Sequence, residues 1–240
     1  MVLEEKKDPM GQAIRDYFEQ GRAGTLRVCS SLFDDDEMPV PMLFRTESDM
    51  NALERTALRH CRGRVLDVGA GAGCHALVLQ DRGLPVTAID VSPLSVDTMR
   101  RRGVNDARAC DFFDDDCGGP FDTVLLLMNG MGVCGRLDRL PLFFHRIDRV
   151  LADGGQVLAD SSDLRYVFED EDGNFTPEPD GRYYGEVDFR MVYGKVKGPR
   201  FDWLYIDFAT LARSAARAGF RAELLCEGNH YDYLARITRA

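Results

Sequence analysis

The sequence predicts an α/β protein with a doubly wound, mostly parallel seven-stranded sheet. Three observations support this prediction: short apolar segments alternate with helical patterns from Arg64 onward, a glycine-rich turn follows the first segment, and the segments 122–128 and 156–160 lack polar alternation. An apolar strand without alternation needs cover on both faces, as in a parallel sheet between two layers of helices. Strands joined by helices also run parallel to one another.

The elements follow in a regular order. Strands are predicted at 64–68, 85–90, 107–110, 122–128 and 156–160, and helices at 74–80, 92–102, 137–151 and 208–218. Ser92 followed by Pro93 is a typical start of a helix, because the serine can cap the first turn and proline fits its first position. Two last strands, 220–226 and 231–238, predict a terminal hairpin that ends in an antiparallel strand.

Two regions depart from this rhythm. Residues 1–60 form a predicted N-terminal helical cap, with Ser48 as the N-cap of a helix to about residue 60 and a loop at 33–41. Within residues 61–240, strict alternation predicts an inserted β-hairpin at about 183–206 with its turn at 194–199. One face of this hairpin is apolar, so we expect it to cover the substrate site or a homodimer interface rather than extend the main sheet. That face carries Val187, Phe189, Met191 and Tyr193.

Composition excludes several classes of function. The formal net charge of the 240 residues is −10, which disfavours nucleic acid as a partner. Seven scattered cysteines indicate reduced thiols in a cytoplasmic protein, and no cysteine–histidine spacing indicates a metal site. The longest apolar run, 124–128, is too short to cross a membrane.

The central motif, Asp67-Val68-Gly69-Ala70-Gly71-Ala72-Gly73-Cys74, lies between the first strand and its helix. Glycines let a backbone approach a ligand closely, and a helix N-terminus presents free N–H groups. Asp90 ends the next strand, where a carboxylate can accept both hydroxyls of a ribose. The motif therefore predicts a nucleotide-like cofactor.

The glycine spacing distinguishes between cofactors. A dinucleotide fingerprint has glycine at positions one, three and six, but the sixth position from Gly69 is Cys74. This disfavours the alternative of an NAD-dependent oxidoreductase. The pattern resembles the class I S-adenosylmethionine-dependent methyltransferases, in particular bacterial members that act on small molecules. The resemblance covers residues 64–160, and the terminal hairpin fits the last two strands of that family. It implies a Rossmann-like methyltransferase domain over 61–240 that binds S-adenosylmethionine.

The resemblance also implies roles by position. The glycine motif would hold the methionine and ribose parts of the cofactor, Asp90 the ribose, and the residues after the second and third strands the adenine. The loop after the fourth strand would be where cofactor and acceptor meet. The implied cofactor-binding residues are Asp67, Gly69, Ala70, Gly71, Gly73, Asp90, Val91, Asp111, Phe112, Met128 and Asn129.

Several of these positions have alternative interpretations. Asp111 could simply begin the acidic loop 111–116, and Asn129-Gly130 could be only a turn. Cys74 and His75 fit the start of a helix better than a catalytic role, and Phe44-Arg45 fits a surface loop better than a cover of the site.

The acceptor is less well defined than the cofactor. The loop 128–133 has no titratable group, and it lacks the Asn/Asp-Pro-Pro-aromatic tetrapeptide and the Pro-Cys pair of similar nucleic-acid methyltransferases. With the acidic charge, this favours a small-molecule acceptor or a protein side chain. Asn129 and His230 are the candidate catalytic residues, since His230 lies in a turn on the expected cofactor side. The alternatives are a turn histidine bonded to Glu227 or Asp232, and a protein that binds S-adenosylmethionine without catalysis.

Overall fold

The computed structural model describes residues 1–114, 116–170, 172, 174–175 and 181–240. Residue 115, within the predicted acidic loop, lies outside the described residues. The α-helices of the described part are α1 (Pro9–Gln20), α2 (Ala52–His60), α3 (Cys74–Asp81), α4 (Pro93–Arg102), α5 (Leu140–Val150) and α6 (Phe208–Arg217). Its strands are β1 (Leu26–Ser30), β2 (Asp36–Met38), β3 (Val65–Val68), β4 (Val86–Asp90), β5 (Ala107–Ala109), β6 (Phe121–Leu126), β7 (Leu151–Ser162), β8 (Glu186–Tyr193), β9 (Val196–Leu204), β10 (Phe220–Glu227) and β11 (Asp232–Arg239).

The main sheet confirms the predicted fold class. Its seven strands have the order β10-β11-β7-β6-β3-β4-β5, and the five strands from β3 to β7 are parallel to one another. Strand β11 is antiparallel to both of its neighbours. From β3 the chain runs outward through β4 and β5 and then crosses back to β6 on the other side of β3, and a ligand crevice forms beyond the carboxyl ends of the strands at such a switch point.

Helices cover both faces of this sheet, which explains its unalternating strands. Val124, Leu125 and Leu126 are all fully buried, although neighbouring side chains point to opposite faces. On one face the core is built with Phe143, Phe144, Ile147, Leu211 and Phe220. On the other face it is built with Leu53, Leu58, Leu79, Val96 and Met99. None of the helices in the described ranges is both long and apolar enough to cross a membrane.

A second, antiparallel sheet of order β2-β1-β8-β9 lies apart from the main one. Strands β8 and β9 are the predicted hairpin, and their exclusion from the main sheet is confirmed. The turn is shorter than predicted, because β9 already begins at Val196 and includes Pro199. Within the described part of the chain β9 pairs only with β8, and an edge strand tolerates a proline that a central strand would not.

The N-terminal 60 residues contain two strands that the sequence did not predict. Leu26 pairs with Tyr193, so β1 forms against a strand more than 160 residues away rather than through its own pattern. Strand β2 lies inside the predicted loop 33–41, and that part of the prediction is wrong.

The predicted start of α2 is also wrong. Asn51, not Ser48, caps the helix, because its side chain accepts from the Glu54 N–H while the Glu54 carboxylate accepts from the Asn51 N–H. Ser48 lies instead in a separate 3-10 turn, Glu47–Asp49, before the helix.

Candidate functional site

The glycine loop after β3 is shaped by its backbone conformation. Gly69, Gly71 and Gly73 have φ values of 71°, 57° and 82°, in the left-handed region that favours glycine. A Cβ on Gly73 would lie 3.0 Å from side-chain atoms of α4 and the segment after it, whereas a Cβ on Gly69 or Gly71 would meet nothing within 4 Å. The N–H groups of Gly69 and Ala70 both donate to the Ile89 carbonyl, at 2.9 and 3.0 Å. The loop is thus fixed to β4, and Gly69 and Gly71 border open space at the switch point.

Asp90 lies beside this open space at the end of β4. One carboxylate oxygen accepts from the Gly71 N–H at 2.9 Å, and the other accepts from the Ser92 N–H at 2.8 Å. A carboxylate oxygen can accept two hydrogen bonds, so each retains a lone pair for a ligand. Burial raises the pKa of Asp90 to about 6 despite these two backbone donors.

Helix α1 is fastened to the same turn through Asp8. The fully buried Asp8 carboxylate accepts from the Ser92 hydroxyl and, at 2.8 Å, from the Gly11 N–H in the first turn of α1. Ser92 also caps α4 by accepting from the Ser95 N–H at 2.9 Å. One short network therefore joins the N-terminal helix to the turn that carries Asp90.

A buried network of charges lies at the other end of the glycine loop. The Glu54 carboxylate accepts from the Arg45 guanidinium at 2.6 Å and from His75 Nε2 at 2.9 Å. Burial alone would lower the pKa of His75, but hydrogen bonds to Cys74 and Glu54 raise it well above its usual value. The imidazole of His75 therefore lies together with the acidic side chains of Glu54 and Asp67, and its pKa is raised by them.

Two atoms of this network are buried without a hydrogen-bond partner: Arg45 Nε and Asp67 Oδ2. A buried polar group without a partner is costly, and native structures rarely leave one without cause. One atom is a donor and the other an acceptor, which matches the carboxylate and ammonium groups of an α-amino acid. The sequence interpretation of Arg45 as a surface residue is wrong, since its side chain is only 16% exposed.

The loop after β6 is held in a strained conformation. Met128 and Asn129 have φ values of 67° and 56°, which non-glycine residues adopt at a cost of about 1–3 kcal/mol each. Asp160, at the end of β7, accepts from the Met128 N–H at 3.1 Å and from the Gly130 N–H at 2.8 Å. The Asn129 side-chain oxygen accepts from the Ser162 hydroxyl at 2.7 Å, a bond that occupies the amide oxygen but does not engage the amide NH₂. Strain concentrates at binding and catalytic sites.

The remaining sequence candidates fall into two groups. Val91 is 37% exposed and the Asp111 side chain 20% exposed, both just after the carboxyl ends of their strands, and the Asp111 carboxylate accepts from the N-terminal ammonium of Met1. Phe112 is only 4% exposed and packs in the core, 6.2 Å from the Phe143 ring between centroids. The structure therefore brings Val91 and Asp111 toward the crevice but not the Phe112 ring.

Comparisons with known proteins decide the family. A family model described as "Methyltransferase domain" matches residues 65–155. A crystal structure of an S-adenosylmethionine-dependent methyltransferase from Bacteroides fragilis, in complex with S-adenosyl-L-homocysteine, is 56% identical, with a TM-score of 0.95 over 100% of this chain and 98% of that one. The chain belongs to the S-adenosylmethionine-dependent methyltransferases. Its cofactor is accordingly S-adenosylmethionine, as the resemblance of the glycine motif to this family implies.

More distant structures share only the fold with this methyltransferase. The sugar N-methyltransferase KedS8 from Streptoalloteichus is 19% identical, covers 86% of this chain and 95% of its own, and has a TM-score of 0.58. The CcbJ methyltransferase from Streptomyces caelestis is 15% identical, covers 99% and 100%, and has a TM-score of 0.64. No protein among those with curated functions matches the sequence significantly.

The small sheet of the methyltransferase contacts the loop after β6. A Cβ on Gly132 would lie 1.9 Å from the indole nitrogen of Trp203, so glycine is required there for the indole to pack on the backbone. His230 lies at the same edge of the main sheet, in the turn between β10 and β11. Its side chain is exposed, and its backbone N–H donates to Asp232 at 2.9 Å.

Proposed function

We propose that this methyltransferase acts on a small molecule held between the loop after β6 and the small sheet. The observation that carries the proposal is the contact of Trp203 with Gly132, because it closes the acceptor side of that loop under a second sheet. A covered space suits a small molecule better than a polymer. The formal net charge of −10 further disfavours a nucleic acid.

Two unpaired atoms support a specific seat for the methionine end of the cofactor. We propose that Arg45 Nε donates to its carboxylate and that Asp67 Oδ2 accepts from its ammonium group, since each would satisfy a buried atom that otherwise has no partner. Because the space beside Gly69 and Gly71 is open, the methionine part of the cofactor would lie against the backbone of the glycine loop, which also includes Ala70 and Gly73.

The proposed seat for the nucleoside end is built on Asp90. Its two oxygens would accept the ribose hydroxyls, Val91 would contact the adenine, and Asp111 would accept from the adenine amino group. The position of both residues just after the paired parallel strands β4 and β5 supports these roles, and the Met1 ammonium that contacts Asp111 would have to give way to the adenine amino group. Phe112 is left out of this proposal, because its ring is used in the core.

Chemistry at the acceptor requires mainly orientation. The bound cofactor supplies a methyl group already activated on a sulfonium sulfur, which is displaced in line by a nucleophile. The contribution of the chain is to hold that nucleophile, and orientation of this kind can contribute about 7–11 kcal/mol. We propose that Met128 contacts the cofactor and that the Asn129 amide NH₂ binds the acceptor, because Ser162 and Asp160 fix the conformation of this loop.

A proton has to be removed if the acceptor arrives protonated, and His230 is the proposed base. We expect His230→Ala to lower turnover at saturating cofactor by at least about tenfold, since a positioned base contributes that much or more. A matched control is His145→Ala, since His145 is an exposed histidine on α5. A smaller loss for His230→Ala, equal to that of the control, would remove His230 from the mechanism.

The state of Asp90 predicts a pH dependence of cofactor binding. Because the raised pKa of about 6 belongs to a carboxylate that must accept hydroxyl donors, binding favours the ionised form. We expect the affinity for S-adenosylhomocysteine to be level above about pH 7 and to fall by up to about tenfold per pH unit below 6. Calorimetric titrations between these limits measure it. The Asp90→Ala variant should show a flatter profile, and an equally steep one would assign the titration to another group.

The acceptor class is tested by following a labelled methyl group. The enzyme is incubated with methyl-labelled S-adenosylmethionine and a cell extract separated into metabolite, protein and nucleic-acid fractions. We expect label in the metabolite fraction with stoichiometric release of S-adenosylhomocysteine. Label confined to either macromolecular fraction would contradict the proposal.

Two further sequence expectations stay predictions. The apolar face of the hairpin packs on α1 and on the loop after β6 within one chain, which supports its role as a cover of the site. A homodimer therefore stays a prediction, but the apolar face of the hairpin no longer supports it, because that face is covered within one chain. Location in the cytoplasm, expected from the unpatterned cysteines, also stays a prediction.

A further inference from the structure

We propose that the main sheet carries a second binding site, at the edge opposite the cofactor crevice, for a small molecule that bears a phosphate group. The site is a cavity of about 400 Å³, called the arginine cavity below. Its polar lining includes Arg62, Arg221, Arg236, His60, Glu223 and Gln156. This inference does not depend on the identity of the methyl acceptor.

The arginine cavity lies at the amino ends of parallel strands. Gln156 of β7 lies opposite Thr123 of β6, and Thr123 lies opposite Val65, the first residue of β3. Arg221 is the second residue of β10. The cofactor crevice lies beyond the carboxyl ends of the strands, where Asp90 ends β4. The cavity is therefore separate from the place where cofactor and acceptor meet.

Helix α2 leaves this part of the sheet open. The helix ends at His60, and its Leu58 packs in one cluster with Leu158 of β7. Arg236 of β11 lies opposite Leu158, and Glu223 of β10 lies opposite Arg236, so all three side chains belong to the same face of the sheet. Polar side chains of β10 and β11 thus form the floor of the cavity beside the end of α2.

The cavity is positively charged, although the chain as a whole has a formal net charge of −10. Three arginines line it against one carboxylate, that of Glu223. The larger cavity beside α5 and α6 differs, because its described lining has as many acidic side chains as arginines. The excess of two positive charges in the arginine cavity matches a phosphate monoester, which carries about −1.5 to −2 at neutral pH.

Two carbonyl oxygens beside the cavity are already bonded. Gln156, which is 3% exposed, donates to the His60 carbonyl at 2.6 Å. Arg62 donates to the Gly154 carbonyl at 2.8 Å. An incoming anion is therefore not repelled by free lone pairs at these two positions, and Arg62 keeps most of its five N–H groups for a ligand.

Arg221 is the side chain best placed to receive the phosphate. Arg236 donates to Glu223 at 2.6 Å, and this bond, with the nearby charges of Arg221 and His60, lowers the pKa of Glu223. The Arg221 guanidinium itself makes no hydrogen bond or ion pair with the other described residues. Its planar fork of donors fits two oxygens of a phosphate at once.

The size and lining of the cavity indicate what else the ligand carries. Sites for small molecules have volumes of about 300–1,000 Å³, so the cavity has room for more than the phosphate itself. The side chains of His60, Gln156 and Thr238 can form hydrogen bonds with hydroxyl groups. We therefore expect a phosphate monoester with a hydroxylated body, as in a sugar phosphate.

Calorimetric titration tests the site with three probes. The enzyme is saturated with S-adenosylhomocysteine, so that the crevice is filled, and sodium chloride holds the ionic strength constant. It is then titrated with glucose 6-phosphate, inorganic phosphate and glucose. We expect saturable binding of glucose 6-phosphate, weaker saturable binding of inorganic phosphate and no binding of glucose.

Variants of opposite sign separate a built site from general attraction. Arg221→Gln should weaken binding of glucose 6-phosphate about tenfold, because a charge-assisted pair of hydrogen bonds is lost. Glu223→Gln should strengthen it by about threefold or more, because the opposing charge is removed and Arg236 is freed. Arg149→Gln removes the same charge from an exposed position on α5, which packs on the other face of the sheet, and should leave binding unchanged. Circular dichroism verifies that each variant is folded.

Every other pattern overturns the proposal. A failure of glucose 6-phosphate to bind saturably does so, whether or not inorganic phosphate or a duplex oligonucleotide binds. Equal weakening by Arg221→Gln and Arg149→Gln would assign binding to the overall charge of the protein. A folded Glu223→Gln protein that binds no more tightly than the wild type would show that this carboxylate does not face the ligand. The labelling experiment judges the acceptor class separately.

Discussion

Replacing Asp90 with alanine is expected to weaken the binding of S-adenosylmethionine by about 10- to 100-fold. The loss of two charge-assisted hydrogen bonds to the ribose corresponds to about 1.5–3 kcal/mol. The same substitution removes the acceptors of the Gly71 and Ser92 N–H groups, so part of the effect can come from the loop itself. Isothermal titration calorimetry with S-adenosylhomocysteine measures the change.

An analogue without the ribose 2′-hydroxyl separates these two contributions. Wild type should bind the deoxy analogue more weakly than S-adenosylhomocysteine, whereas Asp90→Ala should bind both alike, because the two changes remove the same contact. Asp97→Ala, at an exposed position on α4, is the matched control. Unchanged affinity in a folded Asp90→Ala protein, judged by circular dichroism, would refute the ribose assignment.

Substitution of Asp160 is expected to have an effect of similar size on turnover. Without its carboxylate, the N–H groups of Met128 and Gly130 lose their acceptor, and the left-handed pair at 128–129 loses two of the bonds that fix its conformation. A displacement of about 1 Å at the reacting centre costs on the order of 100-fold, so we expect Asp160→Ala to lower kcat by that factor. Unpaired buried donors should also lower the free energy of unfolding by about 2–4 kcal/mol.

Both kcat and the free energy of unfolding should be measured on one preparation of Asp160→Ala. Turnover at saturating cofactor gives kcat, and chemical denaturation gives the free energy of unfolding. Asp153→Ala, an exposed aspartate near the start of β7, serves as control and should alter neither. If Asp160→Ala lost stability but kept full turnover, the carboxylate would be structural and the loop after β6 would not orient the reaction.

The parts of the site that the sequence predicts are those with local causes. The glycines at 69, 71 and 73 occupy left-handed positions that their own turn requires, and Asp90 follows from the end of one strand. Ser92 caps α4 as its neighbouring Pro93 indicates. Each of these signals lies within a few residues of the feature it predicts, so tertiary contacts had little opportunity to override it.

The parts that the sequence missed depend on distant contacts. Strand β1 forms because Leu26 pairs with Tyr193 in β8. The ion pair of Arg45 with Glu54 belongs to the site because Glu54 also contacts His75. The sequence did contain one local signal near Glu54, because Asn51 and Glu54 have the spacing of a capping box. That signal predicts the start of a helix and does not indicate a functional site. A strand position fixes where a residue lies, while packing fixes its rotamer. Phe112 illustrates this, because its ring enters the core beside Phe143.

The bond between Asp8 and Ser92 bears on how quickly the cofactor can exchange. Asp8 is fully buried and caps α1, so α1 cannot leave the turn that carries Asp90 without breaking the bond between Asp8 and Ser92 and exposing a carboxylate. Access from that end is then a local unfolding event, with a barrier set by the stability of α1, rather than the swing of a loose lid. With the ribose at Asp90 as proposed, the residence time of the spent cofactor would depend on the stability of the N-terminal helix, whose cap Asp8 precedes Ser92 by 84 residues.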